Sequence, residues 1–392
     1  MPPLSFSDAR SLVLRQVRAR MTPETVLLAH ADRRILADDI AADRDYPPFN
    51  RSARDGFAVR SADLPGSLRV IGEVRAGETS QQTLGAGQAM EIMTGAPVPF
   101  GADAVVMIEH CERSGNMVTI PEPLASGSNI SPRGTEATSG HVVMSRGARI
   151  DYAGISWLAT TGHSDVRVFA RPRVAIIATG DEIVAVGETP APHQIRNSNA
   201  WSLAAQVARA GGVPVMLPVA RDDRQATRAL IEQGLESDLL LLSGGVSAGK
   251  YDVVEPALSD LGAEVFFYRV RIQPGQPAVF GRVGDKFFFG LPGNPASTMV
   301  TFELFARPAI DLLGGASEPP FHITLARLTK TFRHKAGLTR FLPAILRGSQ
   351  VTPVEWKGSG DVPSLCAANA FLVAEPDKTD YAEGDLIGVI LK

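Results

Sequence analysis

The stretch Leu239–Asp252, LLLLSGGVSAGKYD, decides the fold prediction. Its apolar run predicts a fully buried parallel strand, because a strand covered by helices on both faces reads as continuous hydrophobic sequence. The Ser-Gly-Gly turn predicts that this strand ends against an anionic ligand, since glycines let backbone N–H groups approach phosphate oxygens closely. The hydroxyl groups of Ser243 and Ser247 add further donors there.

Two other segments predict strand ends of the same kind. RVAIIATGDEI begins at Arg173, and FFFGLPGNP begins at Phe287. Because the carboxyl ends of parallel strands meet at one edge of a sheet, the three ends predict a ligand crevice. In the segment that begins at Arg173, Thr179-Gly-Asp-Glu182 offers two carboxylates and a hydroxyl that can bind a metal or a heterocycle. The alternative is that Asp181 and Glu182 only cap the turn.

The region 171–318 alternates predicted strands and helices. This order predicts a mostly parallel sheet with helices on both faces. We place strands at 174–178, 213–217, 238–242, 264–270 and 286–290, and helices at 198–210, 223–235 and 295–313. Asp223 is placed to cap a helix, which leaves Asp222 as the functional candidate. The Pro292–Pro295 turn opens onto a helix and predicts an anion site, or else a rigid loop without a ligand.

The remaining sequence predicts three further domains, and hence a multidomain α/β protein. Residues 46–139 read as short strands broken by Gly and Pro, hence a β-rich domain. Residues 1–45 with 140–170 form a helical linker domain, with an amphipathic helix from about Ser7 to Arg20, capped by Ser7, and another at 152–161. Residues 319–392 read as a small C-terminal β-barrel.

Composition argues against several classes of partner. The 392 residues carry a formal net charge of -3, with Lys and Arg scattered, which speaks against nucleic acid and anionic membrane surfaces. The 2 cysteines form no CxxC pair, so neither a zinc motif nor a disulfide framework is predicted. With no signal-peptide pattern and no run of roughly 18 apolar residues, we expect a cytoplasmic protein.

Six sequence segments are distinctive enough to identify a protein family. They are DGFAV from Asp55, IMTGAPVPFGADAVV from Ile92, IATGDEI from Ile177, IRNSNAWSLAA from Ile195, SGGVSAGKYD from Ser243 and LPGNPASTMVTFELFARP from Leu291. The chain resembles the MoeA family, the molybdopterin molybdenumtransferases that include the E domain of gephyrin.

The resemblance implies an activity and an assembly. Members take adenylylated molybdopterin and molybdate, require Mg²⁺, and release AMP and molybdenum cofactor. It also implies four domains and an elongated homodimer, in which the β-rich domain of one subunit covers the pterin crevice of the other. The molybdopterin adenylyltransferase is an implied partner.

Residue roles also follow from the resemblance. The implied catalytic residues are Asp55, Thr94, Glu136, Glu182, Asp222 and Asp252, of which Glu182, Asp222 and Asp252 would hold the metal. The implied substrate-binding residues are Thr179, Gly180, Asp181, Ser243, Gly244, Gly245, Val246, Ser247, Gln273, Gln276, Pro292, Gly293, Asn294, Pro295, Arg340 and Ser364.

Departures from the family pattern fall on anion-binding positions. Gln273 and Gln276 replace two lysines, and Leu338 replaces an arginine, although Arg340 lies two residues on. Glu136 replaces a shorter acid. An ammonium bonds an oxyanion about twice as strongly as a neutral amide does, so these changes bear on molybdate binding. Two alternatives therefore stand beside an active transferase: a divergent paralogue that only carries the pterin, and a pyrophosphatase that shares the α/β domain.

Overall fold

The strand Leu239–Ser243 is fully buried in the computed structural model, which describes residues 1–245 and 253–392. It pairs in parallel with Arg173–Ala178 on one side and with Lys286–Leu291 on the other. Ser243 lies opposite Ala178 and Leu291 in the two registers. The three predicted strand ends are therefore level with one another at one edge of the sheet.

This central sheet is mixed. Its 6 strands run in the order Val213–Met216, Arg173–Ala178, Leu239–Ser243, Lys286–Leu291, Val279–Val283 and Glu264–Phe267. The first four are parallel, and the last two are antiparallel to their neighbours. The Val279–Val283 strand was not predicted, because Gly281 and Arg282 interrupt its apolar pattern. It forms a tight hairpin with Lys286–Leu291.

The helices cover both faces of the sheet. In chain order, those in the described residues are α1 (Phe6–Gln16), α2 (Tyr152–Thr160), α3 (Ser198–Arg209), α4 (Arg224–Gly234), α5 (Val254–Asp260), α6 (Pro295–Thr301), α7 (Arg307–Leu313) and α8 (Val362–Ala367). Buried residues of α1, α3, α6 and α7 share one core cluster. Those of α4 and α5 share another, on the opposite face.

Two helix predictions need correction. The Ser5 hydroxyl accepts the Asp8 N–H over 3.1 Å, so α1 is capped by Ser5 and not by Ser7, and it ends at Gln16. The predicted helix 295–313 contains a π-helical turn, Phe302–Ala306, between α6 and α7. The predicted cap of α4 is confirmed, since the Asp223 carboxylate accepts the Ala226 N–H over 2.7 Å.

The chain divides into two compact units. Unit 1 contains residues 1–38, 146–155 and 164–392, and unit 2 contains 39–145 and 156–163. Unit 2 has a 6-stranded sheet in the order Ala104–Met107, Gly56–Val59, Gln88–Ile92, Gly66–Val74, Met117–Ile120 and Glu112–Ser114. Apolar clusters pack on both faces of this sheet.

The C-terminal part of unit 1 is a closed barrel of 5 strands, as the sequence predicts. Around the ring they are Thr339–Arg347, Gln350–Pro353, Thr324–Leu328, Leu386–Leu391 and Ala370–Ala374. Ile272–Gln273 adds to the first of them.

Short strand pairs and 3-10 turns complete the described elements. The pairs are Pro23–Leu27 with Asp165–Phe169, Ile40–Ala41 with Val142–Met144, Arg51–Ser52 with Ile130–Ser131, Ile183–Val184 with Ile195–Arg196, and Phe332–Arg333 with Asp380–Tyr381. The 3-10 turns are Leu28–His30, Ser61–Asp63 and Ile108–His110.

Candidate active site

Thr179 and Gly244 pack tightly against each other at the strand ends of unit 1. Gly244 has φ of +94°, and a Cβ there would lie 2.8 Å from Thr179 Oγ1 and 2.9 Å from Thr179 O. Only glycine can adopt this φ without strain and also leave room for Thr179. Thr179 Oγ1 is buried without a hydrogen-bond partner among the described residues, and buried hydroxyls are normally paired. The hydroxyl is thus a candidate ligand contact.

Asn199, in the first turn of α3, joins two of the strand ends. Its Nδ2 donates to Ser243 Oγ over 2.9 Å and to Gly293 O over 2.7 Å. Because a carbonyl can only accept, the bond to Gly293 fixes which amide atom is the nitrogen. Asn199 therefore holds the loops after Leu239–Ser243 and Lys286–Leu291 at a fixed separation.

Asp181, Glu182 and Asp222 form an acidic group after the Arg173–Ala178 strand. Asp181 Oδ1 accepts the Asp222 N–H over 3.2 Å. Partial burial raises the pKa of Asp222, and the charges of Asp181 and Glu182 raise it further. Gly180 makes room for this group, since a Cβ on it would lie 2.2 Å from Glu182 Oε2. The site thus concentrates negative charge that a cation would relieve.

The described residues contain no group of three or more His, Cys, Asp or Glu side chains arranged to hold a metal. Mg²⁺ nevertheless needs only one or two carboxylates when water and substrate phosphates complete its shell. The crowded carboxylate of Asp222, beside Glu182, fits such an ion. Asp252, the third predicted ligand, lies outside the described residues, as do Val246 and Ser247.

The three residues predicted to bind an anion where the sequence departs from the family pattern, Gln273, Gln276 and Arg340, lie in unit 1. Gln273 pairs with Arg340 in a parallel register, so the two side chains leave the sheet on the same side. Gln276 is exposed, on a loop that packs on α6: a Cβ at Gly275 would lie 2.3 Å from Thr301 Cγ2. The structure therefore places Arg340 in register with Gln273 on neighbouring strands.

The Pro292–Pro295 turn connects to the C-terminal barrel. The Thr298 hydroxyl donates to Pro292 O or to Asn294 O, and Pro295 opens α6. One of the N–H groups predicted to face an anion, that of Ala296, donates instead to Ser359 O over 2.9 Å. The anion site predicted at the start of α6 therefore loses one of its backbone N–H donors.

Ser364 lies five residues beyond Ser359, in the first turn of α8. Its hydroxyl donates to Glu355 O or to Asp361 Oδ2, over 2.8 and 2.5 Å. The Ser364 hydroxyl holds the pKa of Asp361 below its usual value, and the backbone N–H groups of Lys357 and Ser364 lower that pKa further. Ser364 can still accept a hydrogen bond from a ligand, because within the described parts of the chain its oxygen only donates.

Unit 2 carries the remaining predicted acids. Asp55 Oδ1 accepts both the backbone N–H and the hydroxyl of Thr94. Glu136 forms an ion pair with Arg51 instead. Unit 2 thus joins two of its three predicted residues in one hydrogen-bonded pair and places the third in an exposed ion pair.

Comparisons with known proteins cover nearly the whole chain. Residues 4–162 match the MoeA N-terminal region (domain I and II), 175–312 a probable molybdopterin binding domain, and 325–392 the MoeA C-terminal region (domain IV). A Bacillus subtilis protein named molybdopterin molybdenumtransferase is 37% identical over 384 residues, which span 94% of this chain and 89% of the relative. The chain belongs to the MoeA family.

Solved MoeA structures agree with the fold. The crystal structure of a molybdopterin biosynthesis MoeA protein from Pyrococcus horikoshii OT3 matches with a TM-score of 0.85 at 29% identity, covering 100% of both chains. A second structure of a Pyrococcus horikoshii MoeA protein matches with a TM-score of 0.77 at 33% identity, covering 100% of this chain and 99% of the other. No helix in the described part of this MoeA chain is long and apolar enough to cross a membrane.

Sequence reasoning missed two groups that the structure brings to this MoeA site. Asn199 lies within the quoted string IRNSNAWSLAA, but only the position of α3 against the sheet reveals its two bonds. His334 directly follows the strand Phe332–Arg333 and contacts Arg340, and no motif marks it. Both are polar side chains whose partners lie on other elements.

Proposed function

We propose that this chain is a molybdopterin molybdenumtransferase, which uses molybdate to convert adenylylated molybdopterin into molybdenum cofactor and AMP. The observation that carries the proposal is the meeting of Thr179, Ser243 and Gly293 at one sheet edge, in a chain related along nearly its full length to a protein of that name. Glycine-rich strand ends of this kind suit a phosphate-bearing heterocycle.

The acidic group would hold Mg²⁺ beside the substrate phosphates. In the proposal, Glu182, Asp222 and Asp252 are its ligands. When bound, the ion would neutralise the charge of the pyrophosphate and of molybdate, which several carboxylates would otherwise repel. Thr179 and Ser243 would contact the pterin substrate, while Gln273 and Arg340 would face the oxyanion.

The proposed enzyme is a cytoplasmic homodimer, and the molybdopterin adenylyltransferase is the proposed supplier of its substrate. Asp55 and Thr94 would act on substrate held by a second copy. Mixing Asp55→Ala with Glu182→Ala tests this, because a mixed dimer has one intact site if the residues act in trans. Recovery of about a quarter of wild-type activity is expected, since random mixing makes half the dimers mixed and each has one of two sites. No recovery after subunit exchange contradicts the shared site.

The deciding experiment incubates the protein with adenylylated molybdopterin and Mg²⁺, with and without molybdate, and measures AMP and active cofactor. We expect molybdate-dependent release of both. A pyrophosphatase would release AMP without molybdate, and a pterin carrier would bind without turnover. The pyrophosphatase is disfavoured because the matched regions 4–162 and 325–392 lie outside the α/β domain that it would share.

A further inference from the structure

Lys392 follows the strand Leu386–Leu391, and its side chain reaches the end of α8. Its Nζ donates to Leu365 O and to Ala368 O, the second bond over 3.1 Å. Its backbone N–H donates to Asn369 O over 3.0 Å, just beyond the helix. The last carbonyls of a helix lack partners within the helix, and the negative end of the helix dipole attracts a cation. Lys392 therefore caps the C-terminal end of α8 from another element.

The start of α8 is held by a separate set of bonds. Asp361 accepts the Ser364 N–H over 3.1 Å and caps the helix. Ser359, two residues before Asp361, accepts the Ala296 N–H over 2.9 Å at the start of α6. One end of α8 is thus bonded to the start of α6 through its preceding turn, and the other end is bonded to Lys392.

The helix α8 is too short to keep its position alone. It has 6 residues, and helices shorter than about 12 residues are marginal in water without tertiary contacts. Its buried side chain is Leu365, which is 2% exposed. Ser364, which the family resemblance assigns to substrate binding, directly precedes Leu365. The position of Ser364 therefore depends on the contacts at the two ends of α8.

We propose that Lys392 is a positioning residue of this enzyme, which holds the Ser364 hydroxyl at the substrate by capping α8. This inference rests on the proposed function and on Ser364 as a substrate-binding residue of that enzyme. The Ser364 hydroxyl donates to Glu355 O or to Asp361 Oδ2, so its orientation is set close to the start of α8. Lys392 adds the placement of the helix itself, because its ammonium forms charge-assisted bonds to the carbonyls at the other end.

The test measures AMP release while adenylylated molybdopterin and molybdate are varied in turn, each with the other and Mg²⁺ saturating. Ser364→Ala is the reference variant, and it should raise the KM for the substrate that the hydroxyl contacts about tenfold. Lys392→Met keeps an unbranched stem but removes the ammonium, and should raise the same KM about threefold with kcat within about twofold. Lys392→Arg, which can still donate to carbonyls, should restore most of the affinity.

The double variant shows whether Lys392 acts through Ser364. If it does, Lys392→Met has little left to change once the hydroxyl is gone, so the double variant should match Ser364→Ala. Amide hydrogen exchange in α8 should also be faster in Lys392→Met than in wild type. Independent effects that multiply in the double variant overturn the inference, and so does a wild-type KM in folded Lys392→Met.

Lys378→Met is the matched control. Lys378 belongs to the same C-terminal part of the chain, and its ammonium forms an exposed ion pair with Asp385 at 2.9 Å. Loss of this pair should leave both KM values unchanged. Thermal unfolding of each variant separates a folding defect from a local one. An equal rise in KM in Lys378→Met would assign the Lys392 effect to the general loss of a positive charge, against the inference.

Failure of the proposed function would give a different result. If wild-type AMP release ignores molybdate, or does not occur, the transferase proposal fails. Calorimetric titration with adenylylated molybdopterin then replaces the kinetic test. Positioning of Ser364 by Lys392 still stands if Ser364→Ala and Lys392→Met both weaken binding and the double variant binds as Ser364→Ala does. It fails if either single variant binds as tightly as wild type.

Discussion

Thr94 donates both its backbone N–H and its hydroxyl to one carboxylate oxygen of Asp55, over 2.6 and 2.7 Å. The two bonds hold the pKa of Asp55 below its usual value, and the backbone bond has the larger effect. Neither bond uses the second oxygen, Oδ2. Thr94 thus favours the ionised form of Asp55 and leaves Oδ2 out of both bonds, so that this oxygen can bind a substrate or an ion.

Replacing Thr94 by valine should separate these two bonds. Thr94→Val keeps the backbone N–H but loses the hydroxyl, so the pKa of Asp55 should rise toward its ordinary value, as measured by NMR titration of the carboxyl carbon. Turnover should fall about tenfold, as expected for a hydrogen bond to a charged group. Thr94→Ser retains the hydroxyl and should behave as wild type in both measurements. An unchanged Asp55 pKa in Thr94→Val would show that the hydroxyl bond is not formed.

Gly244 should be intolerant of a methyl group for two distinct reasons. At φ of +94° alanine is strained, and its Cβ would also lie 2.8 Å from Thr179 Oγ1. Gly262, with φ of +72° and no atom within 4 Å of an added Cβ, shares only the strain. Gly262→Ala should cost about 1 kcal/mol in urea unfolding, and Gly244→Ala at least about 2 kcal/mol, because packing must also shift. Equal costs would mean that Thr179 moves aside freely.

Asn199 should matter to activity more than to stability. Asn199→Ala removes the bonds to Ser243 and Gly293, and we expect molybdate-dependent turnover to fall about tenfold, since misplaced strand ends disturb substrate alignment. Asn197→Ala is the control from the same helix, because its side chain caps α3 by accepting the Ala200 N–H over 3.1 Å. It should lower the melting temperature while keeping most of the turnover. Equal losses of turnover would assign the Asn199 effect to helix stability.

The α/β domain could be predicted because its signals are local. The apolar run Leu239–Leu242 by itself indicates a buried strand, and the glycines that follow it by themselves indicate a turn. The reversed direction of Val279–Val283 could not be predicted in that way. Strand direction depends on the hairpin at Gly284, which brings Val279–Val283 back against Lys286–Leu291.

The candidate site was predictable only where one segment supplies the whole arrangement. Thr179 and Glu182 lie in a single turn, so sequence spacing places them together. Arg340 and Gln273 are 67 positions apart and become neighbours through a strand pair at the edge of the barrel. The position of His334 depends in turn on the pairing of Phe332–Arg333 with Asp380–Tyr381. No residue pattern within either segment encodes that contact.

Asp311 should make stability depend on pH in an unusual direction. Burial raises its pKa to about 6, against opposing contributions from Arg149 and Arg307. The side chain is 3% exposed and its Oδ1 pairs with Arg149. Because the folded pKa lies above the unfolded value of 3.8, the native state binds more protons between these values. The contribution of Asp311 to stability therefore falls as pH rises through this window.

Asp311→Asn should abolish that contribution. Measured by urea unfolding, the stability of Asp311→Asn relative to wild type should increase by up to about 3 kcal/mol between pH 4 and 7, in proportion to the pKa shift. Asp285→Asn is the control, since Asp285 is 74% exposed in its ion pair with Arg20, and its difference from wild type should stay nearly flat. A flat difference for Asp311→Asn as well would mean that Arg149 fully offsets the cost of burying the charge, leaving Asp311 ionised throughout.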